Sequence, residues 1–272
     1  MDVYGLVGNP VGHSLSSPMQ EAAFDALEID ARYVTFEPAS ADLEAAIRGA
    51  IALGIRGLNV TVPYKQSVVP FVELDALAER IGAVNTIDFG DVPTGYNTDA
   101  TGAVEAFREV GVDLDGTTAV VVGAGGAGRA SAIGLADAGA AVAVANRTKA
   151  RAEELAEANR AITAHGIDDL PTLLADATVL VNATSVGMDA DESIVPAATL
   201  HAELTVMDAV YSPRRTRLLA DADDRGATTI DGTRMLVHQG AASFERWTGE
   251  DAPLEAMESA LEHALNERDE RR

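Results

Sequence analysis

The sequence predicts a two-domain α/β protein with mostly parallel sheets. Short apolar runs alternate with longer stretches rich in Ala, Glu and Leu along the whole chain. One of these runs leads directly into a glycine-rich turn and then a helical pattern, which is typical of a βαβ unit. The length of 272 residues suits one large domain or two ordinary ones.

Strands are predicted where β-branched and aliphatic residues cluster between turn-forming residues. In chain order they are Val3–Val7, Arg32–Phe36, Gly57–Val62, Val84–Phe89, Thr118–Val122, Ala141–Ala145, Thr178–Asn182, Thr205–Ala209 and Ala227–Ile230. Helices are predicted from their apolar periodicity at Asp42–Leu53, Gly126–Ala138, Lys149–Asn159 and Pro253–Asn266.

A further helix is predicted after His13-Ser14-Leu15-Ser16, because Ser17, Pro18 and Gln20 match a capping box. Ser17 would cap the helix and Pro18 would take its first position. This leaves Ser14 and Ser16 free near a helix N-terminus, where a carboxylate binds favourably. Local turn bonding is the alternative role for both serines.

The last predicted helix carries one apolar face, formed by Leu254, Met257, Leu261 and Leu265. This apolar face must pack against another part of the protein. If the chain returns to the first domain, that domain supplies the surface. The best boundary lies at Thr101-Gly102, just before a helix. We therefore expect a first domain of residues 1–101, completed by 238–272, and a second of residues 102–237.

The composition excludes several partners. The chain carries 43 Asp plus Glu against 20 Lys plus Arg, a formal net charge of −23. Nucleic acids and anionic membranes are recognised through Lys and Arg, so neither is expected. Strong acidity with only two lysines favours a protein from a high-salt cytoplasm, and an ordinary acidic enzyme is the alternative.

The chain has no cysteine, so disulfides and thiolate metal sites are excluded, and no metal is expected. The N-terminus lacks a basic segment followed by an apolar stretch, and no apolar run approaches membrane-spanning length. We therefore expect a cytoplasmic protein.

A dinucleotide site is predicted after the strand Thr118–Val122. Gly123, Ala124, Gly125, Gly126, Ala127 and Gly128 form a G-x-G-x-x-G turn that opens a helix. Such glycines let a pyrophosphate approach backbone N–H groups at a helix N-terminus.

The end of the next strand distinguishes NADP from NAD. An NAD site usually places an acidic residue there to bind the ribose 2′-hydroxyl. This chain instead has Asn146, Arg147, Thr148 and, a few residues later, Arg151. Guanidinium groups form paired hydrogen bonds with phosphate oxygens, so the sequence favours NADP.

Lys65 is the first candidate for proton chemistry. It is one of two lysines in a chain that otherwise uses arginine, and it closes the segment Asn59-Val-Thr61-Val-Pro-Tyr-Lys65. Arginine holds its proton too tightly to replace lysine in proton transfer.

Motifs along the whole chain resemble those of shikimate dehydrogenases. They are H-S-x-S at 13–16, N-V-T-V-P-Y-K at 59–65, G-A-V-N-T at 82–86, G-Y-N-T-D at 95–99, G-A-G-G-A at 123–127, N-R-T at 146–148, N-A-T-S-x-G-M at 182–188, D-x-x-Y at 208–211 and D-G-x-x-M-L-x-x-Q-G at 231–240. The resemblance implies reversible reduction of 3-dehydroshikimate to shikimate by NADPH. It also implies an N-terminal substrate domain, a Rossmann domain, C-terminal helices that return to the first domain, and an active site in the cleft.

The same resemblance implies the roles of individual residues. Lys65 and Asp99 would be the catalytic pair. Ser14 and Ser16 would bind the substrate carboxylate, and Thr61, Asn85, Tyr211 and Gln239 would bind the ring and its hydroxyls. Ala209 and Gly232 would approach the nicotinamide through their backbone. Taken alone, Asn85 could hold a turn, Tyr211 could be a core residue and Gln239 a surface residue. His13 receives no role.

Two departures from the family pattern are present. Ser17 and Gln20 stand where the family usually has Pro and His, so the first turn of the helix could start late. Arg234, preceded by Thr233, replaces the second glycine of D-G-x-G-M-L. Two other functions stay open: a quinate or quinate/shikimate dehydrogenase, and a non-catalytic NADP(H)-sensing protein. We expect a monomer or a homodimer.

Overall fold

The computed structural model describes residues 1–12, 14–188 and 190–269, and it divides into two compact units. Unit 1 consists of Met1–Thr98 with Val237–Arg272, and unit 2 is Asp99–Leu236. Thr101 and Gly102 were expected just before a helix. They lie inside one, because that helix begins at Asp99.

Unit 1 contains a six-stranded mixed sheet in the order β2-β1-β3-β5-β6-β4. Its strands are β1 (Asp2–Val7), β2 (Ala31–Phe36), β3 (Gly57–Val60), β4 (Glu73–Leu74), β5 (Thr86–Phe89) and β6 (Pro93–Tyr96). The pairs β1–β2, β1–β3 and β4–β6 are parallel, and β5 pairs antiparallel with β3 and β6. Helices α1 (Ser16–Ala26), α2 (Leu43–Ala52) and α3 (Ala76–Ile81) belong to this unit.

Unit 2 contains a fully parallel sheet in the order β12-β11-β10-β7-β8-β9. Its strands are β7 (Thr118–Val122), β8 (Ala141–Ala145), β9 (Ile162–His165), β10 (Val179–Asn182), β11 (Thr205–Asp208) and β12 (Thr228–Ile230). Its helices are α4 (Asp99–Glu109), α5 (Gly126–Asp137), α6 (Lys149–Ala158), α7 (Leu170–Leu174) and α8 (Arg217–Asp224). The order reverses at β7, as in the doubly wound dinucleotide-binding fold, so ligands are expected at the carboxyl ends of these strands.

Two C-terminal helices complete the chain: α9 (Gly232–Thr248) and α10 (Leu254–Asp269). From Val237 onward they belong to unit 1, where α10 packs on α1. Met257, Leu261 and Leu265 are buried there as predicted, whereas Leu254 is exposed because it is the first residue of its helix. Trp247 of α9 donates from Nε1 to the carbonyl of Ile87 on β5, which ties this helix to the sheet.

The predicted capping box is wrong. Helix α1 begins at Ser16 with Leu15 at its N-cap, and the Leu15 side chain forms no capping hydrogen bond. The Ser14 hydroxyl accepts a hydrogen bond from the Ser16 backbone N–H, so the turn starts earlier than the serine pattern suggested. Gln20 is fully buried and its Nε2 donates to the Gly240 carbonyl, so it docks α1 on α9 instead of closing a cap.

No helix among the described residues is long and apolar enough to cross a membrane.

Candidate active site

The glycine-rich turn has the geometry that a dinucleotide site requires. Gly123 follows β7 with φ +109°, a conformation that side chains with a Cβ rarely adopt. A Cβ on Gly128 would lie 2.1 Å from the Gly123 carbonyl oxygen, so only glycine permits this close turn. Around Gly125, the N-cap of α5, a Cβ would meet no atom within 4 Å. The turn therefore leaves open space beside a helix N-terminus, where a pyrophosphate binds.

Asn146 connects this turn to the end of β8. Its Oδ1 accepts from the Ala124 N–H at 3.2 Å, and its Nδ2 donates to the Thr148 carbonyl at 2.8 Å. The amide thus holds the pyrophosphate turn and the start of α6 together. An acidic residue here could accept the first bond but could not donate the second.

The basic residues after β8 are exposed at the start of α6. Lys149 pairs with Glu153 at 3.8 Å. Within the part of the chain that the structure describes, no carboxylate forms an ion pair with Arg147 or Arg151. Their guanidinium groups are available to an external anion, next to a helix N-terminus that also favours one.

A buried polar group holds the end of β11. Asp208 is fully buried and accepts from Asn182 Nδ2 at 2.9 Å, from the Thr216 hydroxyl at 2.6 Å and from the Val210 N–H at 3.0 Å. Burial raises the pKa of this carboxyl, and the three hydrogen bonds oppose the rise. The group fixes the backbone that leads from Ala209 to Tyr211, which is half-buried.

Gly232 lies directly against this backbone. A Cβ at Gly232 would approach the Ala209 carbonyl oxygen to 2.7 Å. The structure therefore brings together the two residues predicted to line the nicotinamide side. Arg234, which replaces a family glycine two residues later, forms an ion pair with Glu109 of α4.

The predicted lysine segment, residues 59–65, begins within β3 of unit 1 and continues beyond its end. Thr61 directly follows this strand, and its carbonyl accepts from the Tyr64 N–H at 2.8 Å. The carbonyl of Lys65 accepts from the Val84 N–H at 2.7 Å, one residue before Asn85. Lys65 and Thr61 are half-buried. The turn thus fixes the backbone on both sides of the lysine.

The two candidate carboxylate-binding serines lie at the start of α1. Ser16 is buried and Ser14 is half-buried. The loop before them is held by Glu37, whose Oε1 accepts from the backbone N–H groups of Val11 and Gly12 at 2.6 and 2.9 Å. His13 lies outside the described residues.

Asn85 and Gln239 meet in unit 1, although they are far apart in sequence. Asn85 Nδ2 donates to Gln239 Oε1 at 3.3 Å and to the Thr98 hydroxyl at 2.9 Å. Asn85 Oδ1 accepts from the Thr98 backbone N–H at 2.7 Å. A backbone N–H can only donate, so this bond fixes which end of the amide carries oxygen.

The remaining candidate, Asp99, is buried and begins α4, immediately after Thr98. It is assigned to unit 2, whereas Lys65 belongs to unit 1.

Sequence reasoning gave no role to several buried polar residues that hold the candidate site residues in position. In unit 2 they are Asn182, Asp208 and Thr216, and in unit 1 they are Asn59, Thr86, Thr98 and Ser243. Asn182 and Asp208 each follow an apolar run at a strand end, a signal that could have identified them. Ser243 gives no such signal, because a serine within a helix is usually exposed.

Three family descriptions match the chain. Residues 6–87 match the shikimate dehydrogenase substrate binding domain, residues 105–208 match shikimate/quinate 5-dehydrogenase, and residues 232–262 match the shikimate 5′-dehydrogenase C-terminal domain.

Similar proteins extend over nearly the whole chain. The shikimate dehydrogenase (NADP(+)) of Natronomonas pharaonis is 62% identical over 97% of this chain and 100% of its own length. That of Halobacterium salinarum is 63% identical, again over 97% of this chain and 100% of its own length. The solved structure of shikimate 5-dehydrogenase from Thermus thermophilus, in complex with NADP(H) and shikimate, has a TM-score of 0.90 at 36% identity and covers 97% of this chain and 100% of that one.

Proposed function

The chain belongs to the shikimate dehydrogenase family, and on that premise we propose that it catalyses the reversible NADPH-dependent reduction of 3-dehydroshikimate to shikimate. The observation that carries the proposal is the set of residues at the end of β8, beside the dinucleotide turn. There, within the described residues, Arg147 and Arg151 have no ion-pair partner and Asn146 replaces the acid of an NAD site.

The residues of unit 2 fit NADP. The backbone of Gly123, Ala124, Gly125, Gly126 and Ala127 would hold the pyrophosphate. The 2′-phosphate would be bound by Asn146, Arg147, Thr148 and Arg151. Ala209 and Gly232 would line the nicotinamide side, since their backbones are already in contact. When bound, NADPH supplies the hydride for the reduction.

The residues proposed to bind the substrate divide by chemistry. Ser14 and Ser16 bind the carboxylate, because hydroxyl and backbone donors at the start of α1 suit an anion. Thr61, Asn85, Tyr211 and Gln239 bind the ring and its hydroxyls. The contact between Asn85 and Gln239 supports this assignment, because it places two amides within one hydrogen bond of each other.

Lys65 and Asp99 are the proposed catalytic pair. The ketone oxygen gains negative charge as it is reduced, and it needs a proton donor beside it. The Lys65 ammonium gives this proton in reduction and takes it back in oxidation. Asp99 orients the amine, and a carboxylate is suited to that task because it accepts hydrogen bonds from an ammonium.

The reaction supplies shikimate for chorismate and aromatic amino-acid biosynthesis. We place the enzyme in a saline cytoplasm, as a monomer or a homodimer. A net charge of −23 with two lysines and the haloarchaeal relatives support the saline part of this proposal.

The test is reduction of NADP or NAD with shikimate or quinate in concentrated KCl. We expect fast reduction with shikimate and NADP, and slow reduction in the other combinations. Faster turnover of quinate would instead support a quinate dehydrogenase, which the names of the curated relatives do not favour. Binding of NADPH without any turnover would support the sensing function.

A further inference from the structure

Ser243 lies at the centre of a buried group of hydroxyls and amides in unit 1. It is fully buried on α9, four residues after Gln239. Its hydroxyl donates to the Gln239 carbonyl at 3.0 Å and accepts from Asn59 Nδ2 at 3.0 Å. It also lies 2.8 Å from the Thr86 hydroxyl and 3.1 Å from the Thr98 hydroxyl. One side chain thus connects the helix to β3, β5 and the segment after β6.

The same hydroxyls hold the Asn85 amide. Thr98 accepts from Asn85 Nδ2 at 2.9 Å and has its own proton to give to Ser243. The Thr86 hydroxyl lies 2.8 Å from Ser243 and 3.1 Å from Asn85 Oδ1, and its one proton serves either acceptor. Both threonine hydroxyls also contact Ser243. The position of Asn85 is therefore tied, through one intermediate hydroxyl, to the helix turn that carries Gln239.

The orientation of Asn59 is fixed as well. Its Oδ1 accepts from the Tyr33 hydroxyl at 2.7 Å, so its Nδ2 faces Ser243, Thr86 and the Asn85 carbonyl. Burial raises the pKa of Tyr33, so its hydroxyl keeps its proton and donates. Hydrogen bonds are stronger and more directional in a dry interior than in water, so this group holds its members firmly.

We propose that Ser243 is a positioning residue for substrate binding: through Thr86 and Thr98 it holds the Asn85 and Gln239 amides at the spacing that a substrate ring hydroxyl requires. This inference rests on the proposed function, in which Asn85 and Gln239 contact the ring. Ser243 itself does not touch the substrate.

The primary variant is Ser243→Ala. Alanine favours helices, and Asn59 Nδ2 keeps its contacts with Thr86 and the Asn85 carbonyl, so the fold should persist. We expect the KM for shikimate to rise about tenfold, the factor that one hydrogen bond supplies, with a smaller change in kcat. The KM for NADP should not change.

The matched control is Thr248→Ala. Thr248 lies on the same helix, and its hydroxyl donates to the Phe244 carbonyl at 2.8 Å in the same four-residue pattern. Among the described residues, this hydroxyl bonds to the Phe244 carbonyl and the Glu250 N–H, and it does not contact Asn85, Thr98 or Gln239. Loss of this hydroxyl should lower the thermal midpoint without a change in the KM for shikimate.

A second pair of variants addresses the case in which Ser243→Ala does not fold. Thr86→Val removes the hydroxyl and keeps the shape, whereas Thr86→Ser keeps the hydroxyl. We expect Thr86→Val to raise the KM for shikimate about tenfold and Thr86→Ser to restore it. Equal KM values in both variants and the wild type would overturn the proposal.

A substrate analogue separates positioning from general destabilisation. A deoxy analogue of shikimate that lacks the hydroxyl bound by Asn85 and Gln239 should have the same KM with the wild type and with Ser243→Ala. A lower thermal midpoint with an unchanged KM for shikimate would show a structural role only and overturn the proposal. If the wild type itself does not oxidise shikimate, the proposed function fails first, independently of Ser243.

Discussion

Arg147→Ala should weaken the use of NADP and leave the use of NAD nearly unchanged. Arg147 is exposed at the start of α6 and, within residues 1–12, 14–188 and 190–269, has no ion-pair partner. A hydrogen bond to a charged group contributes roughly 1.5–3 kcal/mol, and the exposure of the side chain favours the lower half of this range. At about 1.5–2 kcal/mol, kcat/KM for NADP should fall roughly 10- to 30-fold.

The second arginine gives a further check on the magnitude. Arg151 would bind the same phosphate, so the effects of the two substitutions should not simply add. The double variant Arg147→Ala/Arg151→Ala should lose more than either single variant, but less than the product of the two single losses.

The assay is steady-state reduction of NADP and NAD by shikimate at one fixed KCl concentration. The matched control is Lys149→Ala, because Lys149 lies between the two arginines but pairs with Glu153. The control should change kcat/KM for either cofactor less than about twofold. Equal losses with NADP and NAD in Arg147→Ala would refute the assignment of a 2′-phosphate site.

Three further predictions concern the carboxylate-binding serine, the surface charge and the buried Asp208. Ser16→Ala should raise the KM for shikimate about tenfold with little change in kcat, and it is a cleaner test than Ser14→Ala, since the Ser14 hydroxyl also holds the first turn of α1. An unchanged KM would exclude Ser16 from carboxylate binding. Thermal midpoints should rise from 0.1 to 2 M KCl and rise less in a neutral osmolyte series, because a net charge of −23 repels itself and salt screens that repulsion. A midpoint independent of KCl would contradict the saline adaptation. Burial raises the pKa of Asp208, so the folded state binds this proton more tightly than the unfolded state. The contribution of Asp208 to the free energy of unfolding is fully present below the ordinary Asp pKa of about 3.9. It is lost as the pH rises through the raised pKa of the folded state. Denaturation should therefore show that, from pH 3 to 7, the free energy of unfolding of Asp208→Asn increases relative to that of the wild type. A difference between the two free energies that does not change with pH would contradict the raised pKa.

Local pattern predicted most of the fold. The strands of unit 2 that lie next to the glycine turn, β7 and β8, have the predicted bounds, because their apolar runs end in clear turn signals. Strands β4, β6 and β9 were not predicted. Glu73–Leu74 and Pro93–Tyr96 are too short or too polar for a strand pattern, and their pairing with the sheet defines them.

The candidate site could be predicted from the sequence only in part, because some of its residues are adjacent in the chain and others are far apart. The glycine turn and the basic strand end are local sequences, so their residue types indicate their chemistry. The group around Ser243 depends on contacts between residues far apart in the chain, such as Asn59 with Ser243. No local pattern contains such a contact. The capping-box prediction failed because the Ser14 hydroxyl, not Ser17, serves the first turn of α1.

The role of Lys65 in proton transfer is the central claim, and kcat of the Lys65→Ala variant tests it most directly. With shikimate and NADP in concentrated KCl, kcat should fall on the order of 10²–10⁴-fold, while the KM for shikimate changes far less. Lys65→Arg should restore little of this loss, because a guanidinium holds its proton too tightly to exchange it in the reaction. A Lys65→Ala enzyme with near wild-type kcat and a raised KM would instead show that Lys65 only binds the substrate.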